Sequence, residues 1–244
     1  MAVRNRVQRW RLRRAAYKAL RREVPARPVT FNEKLLYRMA HDRHRVLTTF
    51  VDKCAVRDWV ANRIDPKYLP HVYAVMERGD PVPWELLEDE FVAKAAHGSG
   101  GSVVVTRSAP RRLRLPSDGP IWWDRFRVHP EALVRPDLER LCAGWMNLDY
   151  ELLPGRRPEW AYRGAGRRVL FEELLKSPDD RAAVVPLDFK FHVFGGHCEI
   201  IAVEYDRFGD HRRDHFTCEW ERLSGTFVHP RSDAPQERPA RWTR

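Results

Sequence analysis

The chain carries the stretch Phe91-Val-Ala-Lys94-Ala-Ala-His97-Gly98-Ser99-Gly100-Gly101, followed at once by Ser-Val-Val-Val105. A short apolar strand delivers a lysine to a glycine-rich turn, and a second β-branched strand leaves it. A turn without Cβ atoms lets backbone N–H groups approach an anion closely. The lysine beside it adds a compact positive charge. The pair predicts a clamp on nucleotide phosphates. A P-loop would need Gly-Lys-Ser/Thr opening into a helix. Here Gly100-Gly101 opens into a strand, so the predicted loop lies over the phosphates as a lid. A protein kinase also has such a loop, but no His-Arg-Asp or Asp-Phe-Gly motif follows. Taken alone, the turn also reads as an ordinary glycine-rich hairpin.

Other segments offer complementary groups. Val169-Leu-Phe-Glu172-Glu173-Leu174-Leu175 is an apolar strand running into two acids. In a nucleotide pocket its backbone would offer donors and acceptors to an adenine edge, and a glutamate would hold ribose hydroxyls; taken by itself the segment reads first as a surface acidic pair. Leu187-Asp188-Phe-Lys190-Phe-His192-Val-Phe-Gly195-Gly196 alternates with period two. That places Asp188, Lys190 and His192 on one face and Phe189, Phe191 and Val193 on the other. On an interior strand the charged face suits a pocket, and on an outer strand it is simply solvated. Gly195-Gly196 predicts a hairpin into Glu199-Ile-Ile-Ala-Val-Glu-Tyr-Asp206-Arg207. The spacing His211-x3-His215-x2-Cys218, with His192, His197 and Cys198 nearby, also admits zinc, although no CxxC pair accompanies it. No Gly-x-Ser-x-Gly elbow is present.

These groups need a scaffold. At 244 residues and 43% hydrophobic content the chain suits one large domain or two small lobes. Thr30-Phe-Asn-Glu33 has capping-box spacing and predicts a helix over Glu33–Met39. A second helical stretch is expected over 45–63, carrying Asp52-Lys53-Cys-Ala-Val-Arg57, and a third over 131–147. Strands are expected at 91–94, 102–107, 168–172, 188–195 and 198–205. Residues 1–29 form a basic arm. Within it 4–22 reads as a helix that lies on an anionic membrane surface or stays solvated. Residues 232–244 are polar and proline-containing and read as disordered.

Composition narrows the partners. The net charge is +10 and the pI about 9.8, which fits nucleic acid, anionic lipid, acidic polysaccharide or a nucleotide. No recognition helix, RNA-binding aromatic pair or zinc-finger spacing supports nucleic acid. Seven lysines stand against thirty-seven arginines, which draws attention to Lys53, Lys94 and Lys190. No apolar run reaches the length of a membrane span, and the N-terminus has no secretory-signal core. Four well-separated cysteines fit a reduced, cytoplasmic setting, peripheral at the inner membrane face if the arm binds lipid.

In order and spacing, the motifs resemble the TupA-like branch of the ATP-grasp superfamily over about residues 30–222. They are Thr30-Phe-Asn-Glu-Lys34, Asp52-Lys53-x-Ala-Val-Arg57, Phe91-Val-x-Lys94-x-x-His97-Gly-Ser-Gly-Gly101, Glu159-Trp160-x-Tyr162, Glu172-Glu173-x-Leu175, Asp188-x-Lys190, Asp206-Arg207-Phe208 and the Arg213…Trp220 stretch. The resemblance implies an α+β architecture of α/β lobes with an ATP-grasp fold over residues 30–231, its lid lobe at about 68–175. It implies a carboxylate–amine ligase that uses ATP and Mg2+ and passes through an acyl phosphate. The biology it implies is cell-surface polysaccharide synthesis of the teichuronopeptide kind, with a carboxylate acceptor and an amine donor. Lys53 and Lys94 would contact phosphates, and His97, Gly98, Ser99, Gly100 and Gly101 would form the lid. Glu172, Glu173, Leu174 and Leu175 would hold adenine and ribose. Asp188 and Lys190 would line the nucleotide or acceptor pocket, with Asp206 and Arg207 at the reacting ends. The chain departs from the family in lacking the C-terminal Asp…Glu pair expected to hold magnesium, so its metal ligands are unassigned and the fold is expected to be incomplete there. Thr217 stands where an aspartate is usual and Asp149 where a glycine is usual. The alternative is a non-catalytic nucleotide- or polysaccharide-binding remnant.

Overall fold

A computed structural model describes residues 10–11, 13–14, 22–154, 159–176, 185–226 and 228–239. They form an α+β structure with two sheets.

Helix α1 spans Phe31–His41. The expected capping box starts it. Thr30 Oγ1 accepts from the Glu33 N–H, and the Glu33 carboxylate accepts from the Thr30 N–H at 3.0 Å and the Val29 N–H at 2.8 Å. The single helix expected over 45–63 is instead two, α2 (Val46–Val51) and α3 (Ala55–Ala61). Asp52 breaks it: Oδ1 accepts from the N–H groups of Cys54 and Ala55, and Oδ2 from the Gly166 N–H and the Arg168 guanidinium. A short acid that binds nearby backbone N–H groups competes with helix continuation.

The larger sheet has five strands in the order β1-β5-β2-β3-β4. They are β1 (Val72–Met76), β2 (Phe91–Ala95), β3 (Ser102–Val105), β4 (Arg125–Val128) and β5 (Val169–Glu173). All neighbours are antiparallel except β3 and β4. Phe91, Ala93, Ala95, Val103, Val105, Val169 and Phe171 point to one face and join the core. Helix α4 (Arg135–Asn147) is part of that core through Leu138, Leu141, Cys142, Trp145 and Met146, a stripe at helical spacing. It starts later than the expected 131 because Pro130–Ala132 forms a 3-10 turn and Pro136 suits the first helical turn.

The smaller sheet is an antiparallel meander of β6 (Asp188–Phe194), β7 (His197–Tyr205) and β8 (Arg212–Phe216). The expected β6–β7 hairpin closes through Gly195 and Gly196, both at positive φ, the requirement of the two-residue turn that matches strand twist. Its apolar core joins Ile201, Val203 and Phe216 to Phe189 and Trp220.

Residues 232–239, within the segment expected from its composition to be disordered, lie against this sheet. The buried Asp214 carboxylate accepts from Arg222 at 2.6 Å and from the Ser232 N–H at 3.3 Å. Tyr205 accepts from the Gln236 N–H, and Trp220 donates to the Gln236 carbonyl. Residues 240–244 lie outside the described residues. So does most of the expected 4–22 helix, of which Trp10, Arg11, Arg13 and Arg14 are helical. Arg11 donates to the carbonyls of Glu151 and Leu153. No helix among the described residues is long and apolar enough to cross a membrane.

Candidate functional site

A cleft of about 290 Å³ opens between the two sheets. Its floor is the face of the larger sheet turned away from the core. Antiparallel and parallel pairing place two rows across that face: Glu172, Val92 and Val104 in one, Lys94, Ser102 and Arg125 in the other. The floor is therefore apolar in the middle with cations along one side. Leu174 and Leu175 continue from β5 along the cleft wall, and Asp188, Arg207 and Phe208 close it from the smaller sheet.

Two carboxylates are held by cations on opposite sides. Lys94 pairs with Glu172, which is 5% exposed, and Arg57 stands 3.8 Å from its other oxygen. Across the cleft Asp188 accepts from Arg207 at 2.8 Å and from Lys190. Behind Asp188, its cross-strand partner Glu204 is 2% exposed and accepts from Arg213 at 2.6 Å and from His211, with Lys190 at 3.6 Å. Burial alone would raise the Glu204 pKa. The hydrogen bonds from Arg213 and His211 and the nearby charges outweigh it and bring the group down to about 2.

The cleft thus gathers Lys94, Glu172, Glu173, Leu174, Leu175, Asp188 and Arg207 from the residues expected at a site. As expected, Asp188 and Lys190 share a face, but Lys190 bridges Asp188 and Glu204 beside the cleft rather than lining it. Glu173 lines the cleft while accepting from the His71 N–H at 2.6 Å. Asp206 lies elsewhere: it has φ 37° and accepts from the Asp210 N–H at 2.7 Å, so its side chain shapes its own turn.

The glycine turn differs from the expected lid in what its residues do. Lys53 donates to the carbonyls of Ala95, at 2.7 Å, and Gly98, and so grips the turn's backbone rather than standing open to a phosphate. Burial pushes its pKa down to about 8, helped by the charge of Lys94. His97 is 2% exposed, packs edge-on to Trp123 at 5.0 Å and donates through Nε2 to the Trp145 carbonyl. Burial lowers its pKa to about 4, which leaves it neutral at pH 7. A Cβ on Gly98 would fall 2.3 Å from the Trp123 ring and 2.5 Å from Tyr150, and one on Gly101 2.9 Å from Trp123. These two glycines make room for aromatic rings. Gly100, at φ +93° with nothing near it, supplies the turn, and Ser99 is exposed while its carbonyl accepts from Trp123 Nε1 at 3.0 Å. The tip open to a ligand is Ser99-Gly100.

Arg57, Arg125, Phe208 and Arg213 belong to the site or its immediate support without having been picked out as site residues. Arg57, Phe208 and Arg213 sit inside the motifs given above, which is the signal that could have found them. Arg125 reaches the cleft only through the parallel pairing of β3 with β4. Among the described residues, no three His, Cys, Asp or Glu side chains gather as a metal set. His211 is turned to Glu204, and Cys218 donates to the Cys198 carbonyl. All four cysteines are free thiols.

No family model, curated protein or solved structure matches this chain.

Proposed function

We propose that the chain is an ATP-grasp protein of the TupA-like type, and that it binds ATP in the cleft between its two sheets to drive carboxylate–amine ligation. The supporting observation is the convergence of Lys94, Glu172–Leu175, Asp188 and Arg207 on one cleft from distant parts of the sequence. The apolar Val92–Val104 floor and the Leu174–Leu175 wall suit a flat purine, and Lys94, Arg125 and Arg207 suit phosphates. The volume falls at the lower edge of the roughly 300–1,000 Å³ common for small-molecule sites, which fits a cleft that opens to admit its ligand.

In the proposed reaction an acceptor carboxylate oxygen attacks the γ-phosphorus, the bond to the β-phosphate oxygen breaks, and ADP leaves. An amine nitrogen then attacks the acyl carbon, the carbon–oxygen bond to phosphate breaks, and inorganic phosphate and a proton are released. Phosphoryl transfer needs mainly alignment and charge neutralisation. Lys94 and Arg207 would neutralise the nucleotide, and the Ser99-Gly100 tip would lie over it. The described residues do not form a magnesium site: Asp188 and Glu204 are already held by Lys190, Arg207 and Arg213. No step is therefore assigned to the metal. The acceptor and amine donor would belong to cell-surface polysaccharide synthesis. The same engagement of Asp188 and Glu204 favours a second reading, a non-catalytic nucleotide-binding protein.

Calorimetry with ATP, with and without magnesium, tests the site. The intact chain is expected to bind, and Lys94→Ala to lose at least about tenfold in affinity, since a charge-assisted hydrogen bond contributes about 1.5–3 kcal/mol. An intact, folded chain that does not bind ATP overturns the proposal. Binding without release of ADP or phosphate in the presence of carboxylate and amine substrates selects the second reading.

A further inference from the structure

The smaller sheet brings two thiols together at one end. Cys198 lies near the start of β7, and Cys218 lies in the turn that follows β8. The two strands run antiparallel with Ile201 opposite Phe216, so the chain before Ile201 and the chain after Phe216 leave that pair side by side. The Cys218 sulfur stands 2.6 Å from the Cys198 carbonyl oxygen and shares a hydrogen bond with the Cys198 sulfur. Both residues are half-buried. The other cysteines are placed differently. Cys142 is sealed in the core of the larger sheet, and Cys54 stands at the start of α3 beside Asp52 and Arg168.

The turn that presents Cys218 has a fixed shape. The Thr217 N–H donates to the Glu221 carbonyl at 2.9 Å, and the Trp220 N–H to the Thr217 carbonyl at 3.0 Å. Trp220, at φ 71°, stacks on Phe216 with ring centres 4.7 Å apart and donates to the Gln236 carbonyl. A disulfide asks for two backbones held at close and constant separation, and this turn and β7 supply them.

We propose that Cys198 and Cys218 are an oxidation site, a dithiol that peroxide closes to a disulfide, stapling the turn 217–221 to β7. The hydrogen bond with Cys198, then burial, then the charges of Cys198, Glu219 and Glu199 push the Cys218 pKa up to about 11. Cys218 therefore keeps its proton, and Cys198 meets the oxidant. The Cys198 thiolate attacks one peroxide oxygen, the O–O bond breaks, and the departing hydroxide takes up the thiol's proton as water, leaving a sulfenic acid. The Cys218 sulfur then gives up its proton and attacks the Cys198 sulfur, the S–O bond breaks, and a second water leaves. Two thiols are oxidised by loss of two hydrogens, and one peroxide is reduced to two waters. Glu199 and Glu219 repel anionic oxidants such as glutathione disulfide, so a small uncharged peroxide is the class that fits. Through Trp220 and Gln236 the staple fastens the C-terminal segment to the sheet that carries Asp188. This inference goes beyond the ATP reading and is independent of it.

Mild hydrogen peroxide treatment of the folded full chain tests it, followed by alkylation in denaturant, digestion and mass spectrometry. Two of the four thiols are expected to escape alkylation, in one peptide pair that joins Cys198 to Cys218 and is reopened by dithiothreitol. Oxidation is expected to raise the thermal midpoint by about 5 °C or more, because closing a loop of about twenty residues restrains the unfolded chain. Cys54→Ser should keep both effects. Cys198→Ser and Cys218→Ser, shown to be folded by circular dichroism, should lose both. Four thiols still alkylated after peroxide, a disulfide that involves Cys54 or a second chain, or a Cys198–Cys218 link that leaves the midpoint unmoved each overturns the proposal.

Discussion

Glu172 and Glu204 share one arrangement on opposite sides of the cleft, a carboxylate sealed from water and held by cations. A buried charge is tolerable only with such partners. Each glutamate therefore fixes the cations around it: Glu172 holds Lys94 and Arg57, and Glu204 holds Lys190 and Arg213. Glu204 also gives the site a pH dependence. Its folded pKa of about 2 lies below the ordinary 4.5, so its stabilisation is fully present above about 4.5 and is lost as the pH falls towards 2. Glu204→Gln is expected to cost about 2 kcal/mol at neutral pH. In urea unfolding across pH, the gap between wild type and variant should close as the solution becomes acid. A gap that stays constant down to the lowest pH would show that the carboxylate's charge is not the source.

The β2–β3 connection behaves as a bolted turn with a small open tip. Trp123 and Tyr150 fill the space that a side chain at position 98 would need, so Gly98→Ala is expected to destabilise by about 1–3 kcal/mol through overpacking. Gly100→Asn should cost less, because space is open there and asparagine tolerates positive φ. Thermal unfolding of the two variants gives the ranking. The same turn shows what could be read in advance. Lys94, the glycines and the flanking strands were legible because apolar β-branched runs bounded by glycine have a local cause. The aromatic packing against Gly98 and Gly101 was not, since Trp123 and Tyr150 are distant in sequence. Strand β4, Arg-Phe-Arg-Val, alternates but over only four residues, and β8, Arg-Arg-Asp-His-Phe, has a single apolar residue, so both owe their state to the neighbours they pair with. β1 is a short run without strict alternation, where pattern does not separate strand from helix. The cleft inherits this division: Lys94, Glu172, Asp188 and Arg207 announce themselves in motifs, while Arg125 arrives by topology.

Across the whole molecule, the excess of charge and the cleft lie in separate parts of the sequence. The arm carries the excess of positive charge, with ten Lys and Arg and a single acid, Glu23, over residues 1–29, and the cleft residues Lys94, Arg207, Glu172 and Asp188 balance one another. On the membrane-surface reading of the arm, deleting residues 1–22 is expected to abolish binding to anionic vesicles while ATP affinity, measured by calorimetry, stays unchanged. Vesicle binding that survives the deletion would sink that reading. The order β1-β5-β2 has a consequence of another kind, one of timing. β5, at Val169–Glu173, is inserted between β1 and β2, which end at Met76 and Ala95. Neither early strand touches the other, so the larger sheet has no centre until the chain has been made past residue 173. The first half of the cleft must wait on the ribosome for its middle strand, and non-local pairing of this sort closes slowly. β1 and β2 emerge with unpaired edges, and during that interval the nascent chain depends most on being shielded from its neighbours.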